Sequence, residues 1–200
     1  TFANSDHFLH EEELDRRQKK IEKHFGKILE ELGFDTNKDH NTKDTAKRVA
    51  KMYTREIFCG RFSLPPDVTT FPNVKNVDEM IVTGPLTVKS FCSHHFMPIV
   101  GKAWIGYIPE NNLIGLSKIP RIVEWFSRRP QIQEELTSQI CEKLQEILEP
   151  KGLGVYIEAM HFCQSHRGIN ETPEAKMKTT CLRGCFQDPV AKTEFLHYIG

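Results

Sequence analysis

Apolar residues recur at helical spacing in the first part of the chain. The first stripe consists of Ile21, Phe25, Ile28, Leu29 and Leu32. It ends at Gly33, a residue type that favours the position just past a helix. A second stripe consists of Ala46, Val49, Tyr53 and Ile57. These stripes predict two helices, and the proline-containing stretch 63–73 is predicted to be a loop.

The middle of the chain changes to a pattern typical of strands. Residues 80–92 and 102–108 are rich in valine, isoleucine, threonine and aromatic residues and are bounded by turn residues, which predicts two strands. Two helical stripes follow, made of Ile119, Ile122, Val123 and Phe126 and then of Ile132, Leu136, Ile140, Leu144 and Leu148. They predict two helices that pack on the sheet.

The last third alternates with a period of two. Val155, Ile157, Ala159, His161 and Cys163 fall on one face of a predicted strand at 154–163. Residues 176–186 predict a final strand. The order of helices, two strands, two helices and two strands indicates an α+β fold.

Composition narrows the class of protein. The 200 residues include 27 basic and 27 acidic side chains, so no overall positive field favours a nucleic acid or a membrane surface as partner. The apolar runs are too short to span a bilayer or to serve as a secretory signal. Six cysteines lie in unrelated local sequences, which favours reduced thiols and a cytosolic protein over a disulfide framework.

Soft and borderline metal ligands follow two of the predicted strands. The motif Cys-Ser-His-His occupies residues 92–95, and His161 and Cys163 end the later strand. Side chains two apart on a strand point the same way, so His161 and Cys163 are expected to face one site. Taken alone, Cys163 would be read as a small buried apolar residue and His161 as a core residue. Together with Cys92, His94 and His95 they favour zinc, although the sequence does not distinguish a closed structural site from an open catalytic one.

Three segments carry a more specific similarity. DTAKRVAKMYTREIFCG covers residues 44–60, SFCSHHFMPIVGKAWIGYIPENNLIGLSKIPRIVEWFSRRPQIQEELTSQI covers 90–140 and EAMHFCQSHRGI covers 158–169. In this order they resemble the GTP cyclohydrolase I family. The similarity extends from roughly the first predicted helix to the C-terminus.

The resemblance implies a reaction and a metal centre. Cys92, His95 and Cys163 match the family's three zinc ligands, which leave an open position for the attacking water. His94 and His161 match the two histidines that serve proton transfers, which suits a side chain with a pKa near neutrality. The family adds water to the imidazole carbon of GTP, opens that ring, releases formate and closes a new ring to give dihydroneopterin triphosphate.

The resemblance also implies residues that bind GTP. Gln133 and Glu134 match the pair that contacts the purine, and the resemblance also assigns Gln133 a catalytic role. The Glu134 carboxylate can accept two hydrogen bonds from the N–H groups of guanine. Positions implied for ribose and triphosphate are Ser117, Lys118, Arg121 and Arg167, with Arg48, Lys51 and Lys47 reaching the site from an adjacent subunit. Each of these alone would be read as an ordinary surface residue.

The fold implied is the tunnelling fold, an antiparallel sheet with helices packed on one side. In the family it assembles into a ring-shaped homo-oligomer, typically a decamer of two stacked pentamers. The chain is expected to form a single domain, with a helical segment at about 1–60 and a catalytic core at about 61–200.

Two alternatives remain open at this point. The family usually has glutamate where this chain has Ser93, and residues 170–177 also depart from its pattern. A diverged enzyme could stop at a ring-opened intermediate or use another purine nucleotide. Alternatively, the protein could be a catalytically silent oligomer in which zinc is structural.

Overall fold

The computed structural model describes residues 2–172 and 174–200, and the chain divides into two compact units at Leu64 and Pro65. In the first unit the long helix α1 (Glu11–Glu31) is followed by α2 (Thr45–Lys51), a π-helix (Met52–Ile57) and α3 (Cys59–Phe62). Both helices predicted here are confirmed. The first helix begins well before its apolar stripe, with three glutamates in its first turn, where negative charge favours a helix N-terminus.

The second unit contains a five-stranded sheet. Its strands are β2 (Ile81–Cys92), β3 (Pro98–Ile108), β5 (Pro130–Gln131), β6 (Gly152–His161) and β7 (Lys176–Gly184), in the order β5-β2-β3-β6-β7. A separate two-stranded sheet pairs β1 (Thr70–Pro72) with β4 (Asn112–Ile114). The four long strands are those predicted, whereas the three short strands carry too little pattern to be found.

Two helices cover one face of the sheet. They are α4 (Lys118–Ser127) and α5 (Gln133–Leu148), and their apolar stripes pack against inward-facing strand residues. Leu136, Ile140 and Leu144 of α5 meet Val155 and Ile157 of β6 in this core, and all five have no exposed surface. The predicted α+β class is therefore confirmed.

The other face of the sheet also carries a helix, which corrects the expectation that helices pack on one side only. Helix α7 (Pro189–Ile199) follows a short 3₁₀ turn and buries Phe195 beside Phe186. A Cβ at Gly106 or Gly154 would lie within 2.9 Å of the Phe195 ring. The two glycines therefore provide the room that this helix needs, a role that no local pattern indicates.

Strand directions gather several chain segments at one end of the sheet. Strands β2 and β6 both pair antiparallel with β3, so they run parallel to each other and both end on the same side. Strand β5 pairs parallel with the last residues of β2, at Phe91 and Cys92.

Within the described part of the chain, no helix is both long and apolar enough to cross a membrane.

Candidate metal centre and active site

Three side chains with metal-binding atoms converge where β2 and β6 end. The ligand atoms of Cys92, His95 and Cys163 all lie within 4.8 Å of one another. Cys92 is buried, Cys163 is half-buried and His95 is exposed. The three residues expected to bind zinc are thus brought together from positions up to 71 apart in the sequence.

A tight turn presents the first two members of this group. Cys92 is the last residue of β2, and its backbone N–H donates to the carbonyl oxygen of Met97 at 2.9 Å. The N–H of Phe96 returns to the Cys92 carbonyl at 2.9 Å, with Phe96 at a positive φ of 52°. The turn reverses the chain within four residues and leaves His94 and His95 exposed at its tip.

Cys163 reaches the group from a helix, which corrects the predicted strand. Strand β6 ends at His161, and Cys163 lies in the short helix α6 (Phe162–Ser165). His161 and Cys163 therefore do not share a strand face. The change of backbone direction at His161 separates their roles, because only Cys163 joins the metal-binding group.

The donor set fits a zinc ion. Zinc binds thiolate sulfur at about 2.3 Å and imidazole nitrogen at about 2.0–2.1 Å, so ligand atoms on a tetrahedral ion lie roughly 3.3–3.8 Å apart. The observed spread requires only a small adjustment. Burial raises the pKa of the Cys163 thiol, and its contact with Cys92 raises it further. A cation between the sulfurs would oppose both effects, because metal binding favours thiolates.

Two more predicted site residues contact the metal-binding group. His94 places Nδ1 at 3.6 Å from the Cys92 sulfur. Arg167, which follows α6, places Nη1 at 3.1 Å from Nε2 of His95. A guanidinium group can only donate, so this contact uses the single lone pair of a neutral His95 ring and would be replaced when His95 binds a metal. Arg167 is exposed and leaves a positive charge beside the cluster.

His161 is hydrogen-bonded to Gln133, the first residue of α5. Its Nε2 lies 2.8 Å from Oε1 of Gln133. Burial lowers the pKa of His161, and the negative charge of Glu134 acts in the other direction. The neutral imidazole is therefore favoured around neutral pH, the form that can accept a proton.

Gln133 and Glu134 differ in what they can reach. Gln133 has no exposed surface, and its Nε2 lies within hydrogen-bond distance of two carbonyl oxygens, at Ile157 and Met177, and of Thr179 Oγ1. Its side chain is committed to protein groups and to His161, which differs from the expected contact with a purine. Glu134, next to it, is exposed and can meet a ligand.

The remaining predicted residues lie on other elements. Ser117, Lys118 and Arg121 form the start of α4, where Ser117 and Arg121 are exposed and Lys118 is half-buried. Arg48 and Lys51 belong to α2 in the first unit and are exposed, as is the neighbouring Lys47. Arg48 forms an ion pair with Asp44, with 3.8 Å between Nη2 and Oδ2, and the Arg48 side chain remains largely exposed to solvent.

Supporting residues next to the site were missed by the sequence analysis. Gln131 of β5 is buried and donates from Nε2 to Ser90 Oγ at 3.1 Å and to the Phe126 carbonyl at 2.6 Å. The backbone carbonyl oxygen of Gln131 accepts a hydrogen bond from the N–H of Ser93 at 3.1 Å, which connects β5 to the turn that carries the histidines. Thr137 and Thr179 support Gln133 in a similar way. For Thr137 the available signal was a polar residue next to the apolar stripe of α5.

Comparison with known proteins shows which family this sequence matches. The sequence profile of the family described as GTP cyclohydrolase I matches residues 21–200. The protein named GTP cyclohydrolase 1 from Aeromonas salmonicida is 44% identical over 183 residues, which is 90% of this chain and 83% of that protein. A protein of the same name from Flavobacterium johnsoniae is 44% identical over 181 residues, covering 90% and 80% of the two chains.

A solved structure is also similar, but only weakly. The crystal structure of the archaeosine synthase QueF-Like in the apo form matches with a TM-score of 0.42 and 16% identity, over 54% of this chain and 94% of that one. This likeness is too low to bear on fold or function. The profile match and the two relatives cover nearly the whole sequence, and on that basis the chain belongs to the GTP cyclohydrolase I family.

Proposed function

We propose that this protein hydrolyses the imidazole ring of GTP, releases formate and closes a new ring to form 7,8-dihydroneopterin triphosphate. The observation that carries the proposal is the meeting of Cys92, His95 and Cys163 within 4.8 Å. His94 lies beside the same cluster, and His161 ends the strand that leads to Cys163. A metal-binding group with two adjacent histidines is suited to metal-assisted hydrolysis with proton transfer.

Cys92, His95 and Cys163 would hold a zinc ion, and the three side chains fit the two-sulfur, one-nitrogen chemistry that zinc accepts. Three protein ligands leave one tetrahedral position free, which is typical of catalytic sites. A zinc ion held there would act as a Lewis acid and supply a nucleophilic water near neutral pH.

The two histidines move the protons of the reaction. His94 stands in an exposed turn and can meet the ligand from solvent. His161 is partly buried and held by Gln133, and the lowered pKa of its imidazole keeps it ready to accept a proton. Gln133 acts here by supporting His161, since its side chain has no exposed surface.

Charged and polar residues of several elements bind the rest of GTP. Glu134 is exposed and one residue from Gln133, so its carboxylate can accept from the guanine N–H groups. Arg167 contacts His95 and brings a positive charge to the cluster. The triphosphate and ribose are assigned to Arg167 together with Ser117, Lys118, Arg121, Arg48 and Lys51, because arginine and lysine form charge-assisted hydrogen bonds with phosphate oxygens.

The protein is proposed to act as a ring-shaped homo-oligomer with the tunnelling fold, most simply a decamer, in which Arg48 and Lys51 serve the site of a neighbouring subunit. Large apolar side chains of the second unit support assembly, since Phe71, Val74 and Leu116 are more than half exposed. Burial of these side chains in a subunit interface would contribute favourably to assembly.

The direct test incubates the zinc-loaded protein with GTP and measures formate together with a pterin that fluoresces after oxidation. Formation of both products in equal amounts is expected. Formate without the pterin would indicate an enzyme that stops at a ring-opened intermediate. Neither product from a zinc-loaded protein would refute the proposal.

Treatment with a chelator distinguishes a zinc enzyme from a catalytically silent protein in which zinc is structural. We expect chelation to abolish formate release while the far-ultraviolet circular dichroism stays unchanged, because the core between the sheet and α5 consists mainly of aliphatic side chains such as Leu136, Ile140 and Ile157, which do not bind the metal. Added zinc should restore activity. Unfolding on zinc removal would instead indicate a structural metal.

A further inference from the structure

A buried polar network lies behind His161, where an apolar core would be expected. It includes Gln133, with no exposed surface, Thr137, which is 1% exposed, and the half-buried Thr179 of β7. The three side chains are hydrogen-bonded to one another across α5 and β7. Buried polar groups of this kind are retained only when their hydrogen bonds are made.

The direction of each hydroxyl in this network follows from its partners. Thr137 Oγ1 donates to the carbonyl oxygen of Gln133 at 2.8 Å, which uses its single proton. In the 2.6 Å contact between the two threonine hydroxyls, Thr179 must therefore be the donor. Thr179 then has only lone pairs left, and it accepts from Nε2 of Gln133 at 3.0 Å.

The same network determines the orientation of the Gln133 amide. Its Nε2 faces the carbonyl oxygens of Ile157 and Met177, each at 3.1 Å, in addition to Thr179. A flipped amide would place Oε1 against two carbonyl oxygens and against a hydroxyl that has no proton to give. Oε1 is therefore directed at His161, which it contacts at 2.8 Å.

An amide oxygen can only accept, so Nε2 of His161 must carry the proton in this contact. In the neutral ring the lone pair then lies on Nδ1. Without the network either nitrogen could be protonated, and the ring could turn about its side-chain torsions.

We propose that Thr179 and Thr137 are positioning residues that, together with the carbonyl oxygens of Ile157 and Met177, orient the Gln133 amide and thereby hold His161 as the Nε2–H tautomer. This inference rests on the proposed function for the role of His161. The hydrogen-bond directions themselves do not depend on it.

The test compares Thr179→Val, which keeps the shape but removes the hydroxyl, with Thr179→Ser, which keeps the hydroxyl. Thr180→Val is the matched control, because Thr180 is the next residue of β7 and is exposed. Zinc-loaded proteins are assayed for kcat and KM with GTP, for bound zinc and for thermal stability. Supporting residues around a metal site typically alter activity by roughly 10- to 100-fold.

We expect Thr179→Val to lower kcat by roughly 10- to 100-fold, with KM and zinc content close to wild type, and Thr179→Ser to restore most of the rate. Thr180→Val should behave as wild type. If Thr179→Val keeps the wild-type kcat, or if Thr179→Ser is impaired as much as Thr179→Val, the proposal is overturned.

A second measurement does not require any variant of Thr179 to fold. Magic-angle-spinning NMR of the ¹⁵N-histidine-labelled wild type reports which ring nitrogen carries the proton, and His161→Asn identifies the signal among nine histidines. A proton on Nε2 supports the proposal and a proton on Nδ1 refutes it. A wild type that shows the Nε2–H tautomer but releases no formate would refute the proposed function and leave the network assignment intact.

Discussion

The two sides of the metal-binding group are supported in different ways. On one side His161 ends β6 and rests on the buried Gln133, whose contacts reach α5, β6 and β7. On the other side His94 and His95 occupy an exposed turn after β2. We call these the buried half and the exposed half. The difference indicates that the buried half is preorganised, whereas the exposed half can adjust when metal and ligand bind.

The largest effect is expected from the loss of one of the three proposed metal ligands. Cys163→Ser removes a sulfur that lies within 4.8 Å of the ligand atoms of Cys92 and His95. We expect zinc binding and formate release to fall by more than the roughly 100-fold that loss of a supporting residue costs. Metal analysis and the formate assay measure this. Cys185→Ser is the control, because Cys185 is an exposed free cysteine on another part of the chain, and a comparable loss there would contradict the assignment.

The comparison is sharpest between the two histidines. His161→Ala and His94→Ala should each lower kcat by roughly 10²- to 10⁴-fold, the usual range for a general acid or base. Their stabilities should differ. His161→Ala leaves the buried Oε1 of Gln133 without its donor, which costs about 1–3 kcal/mol in the free energy of unfolding.

His94 is exposed, so His94→Ala should change the free energy of unfolding by no more than about 0.5 kcal/mol. Urea unfolding of the two zinc-free proteins measures both values. Equal losses of stability would contradict the distinction between a buried and an exposed half.

A smaller effect is expected at the edge of the exposed half. Arg167→Gln removes the positive charge beside His95 and a proposed contact to phosphate. Charge-assisted hydrogen bonds contribute about 1.5–3 kcal/mol, so KM for GTP should rise roughly tenfold or more while kcat changes less. Steady-state kinetics test this. Arg128→Gln, which breaks an ion pair with Glu124 on α4, should leave KM unchanged.

The smallest effect is expected at Ser93, where the resemblance to the family leads us to expect glutamate. Ser93 is tied to β5 through its backbone N–H, which donates to Gln131, and a substitution of its side chain preserves that bond. Ser93→Glu should therefore shift the free energy of unfolding by no more than about 0.5 kcal/mol and leave zinc content unchanged. A marked rise in kcat would show that the serine limits this enzyme.

Much of the fold could be predicted because each long element has a clear period. The stripe through Leu136, Ile140 and Leu144 specifies a helix face, and the alternation through Val155 and Ile157 specifies a strand face. Helix α7 was missed for the corresponding reason. Only Phe195 of that helix is buried, so it has no stripe, and its packing depends on space left by Gly106 and Gly154.

In the candidate site, too, some features could be predicted from the sequence and others could not. Cys92, His95 and Cys163 were identified from residue type and family motif, because metal ligands are chemically distinctive. The expected geometry at Cys163 was wrong, since β6 ends at His161 and a helix carries the sulfur. Strand ends depend on the partner strand, and residue alternation does not reveal where pairing stops.

The α+β order of elements, the metal-binding residue types and the family could all be inferred from the chain, since they depend on local pattern and on residues in a fixed order. The contact of Gln133 with His161, and the two threonines that orient Gln133, became visible only in the folded protein. Thr179 lies 46 residues from Gln133, and a hydrogen bond over that distance exists only when strand pairing brings β7 against α5. Periodicity describes one element at a time, whereas the direction of a buried hydrogen bond depends on all of the groups around it.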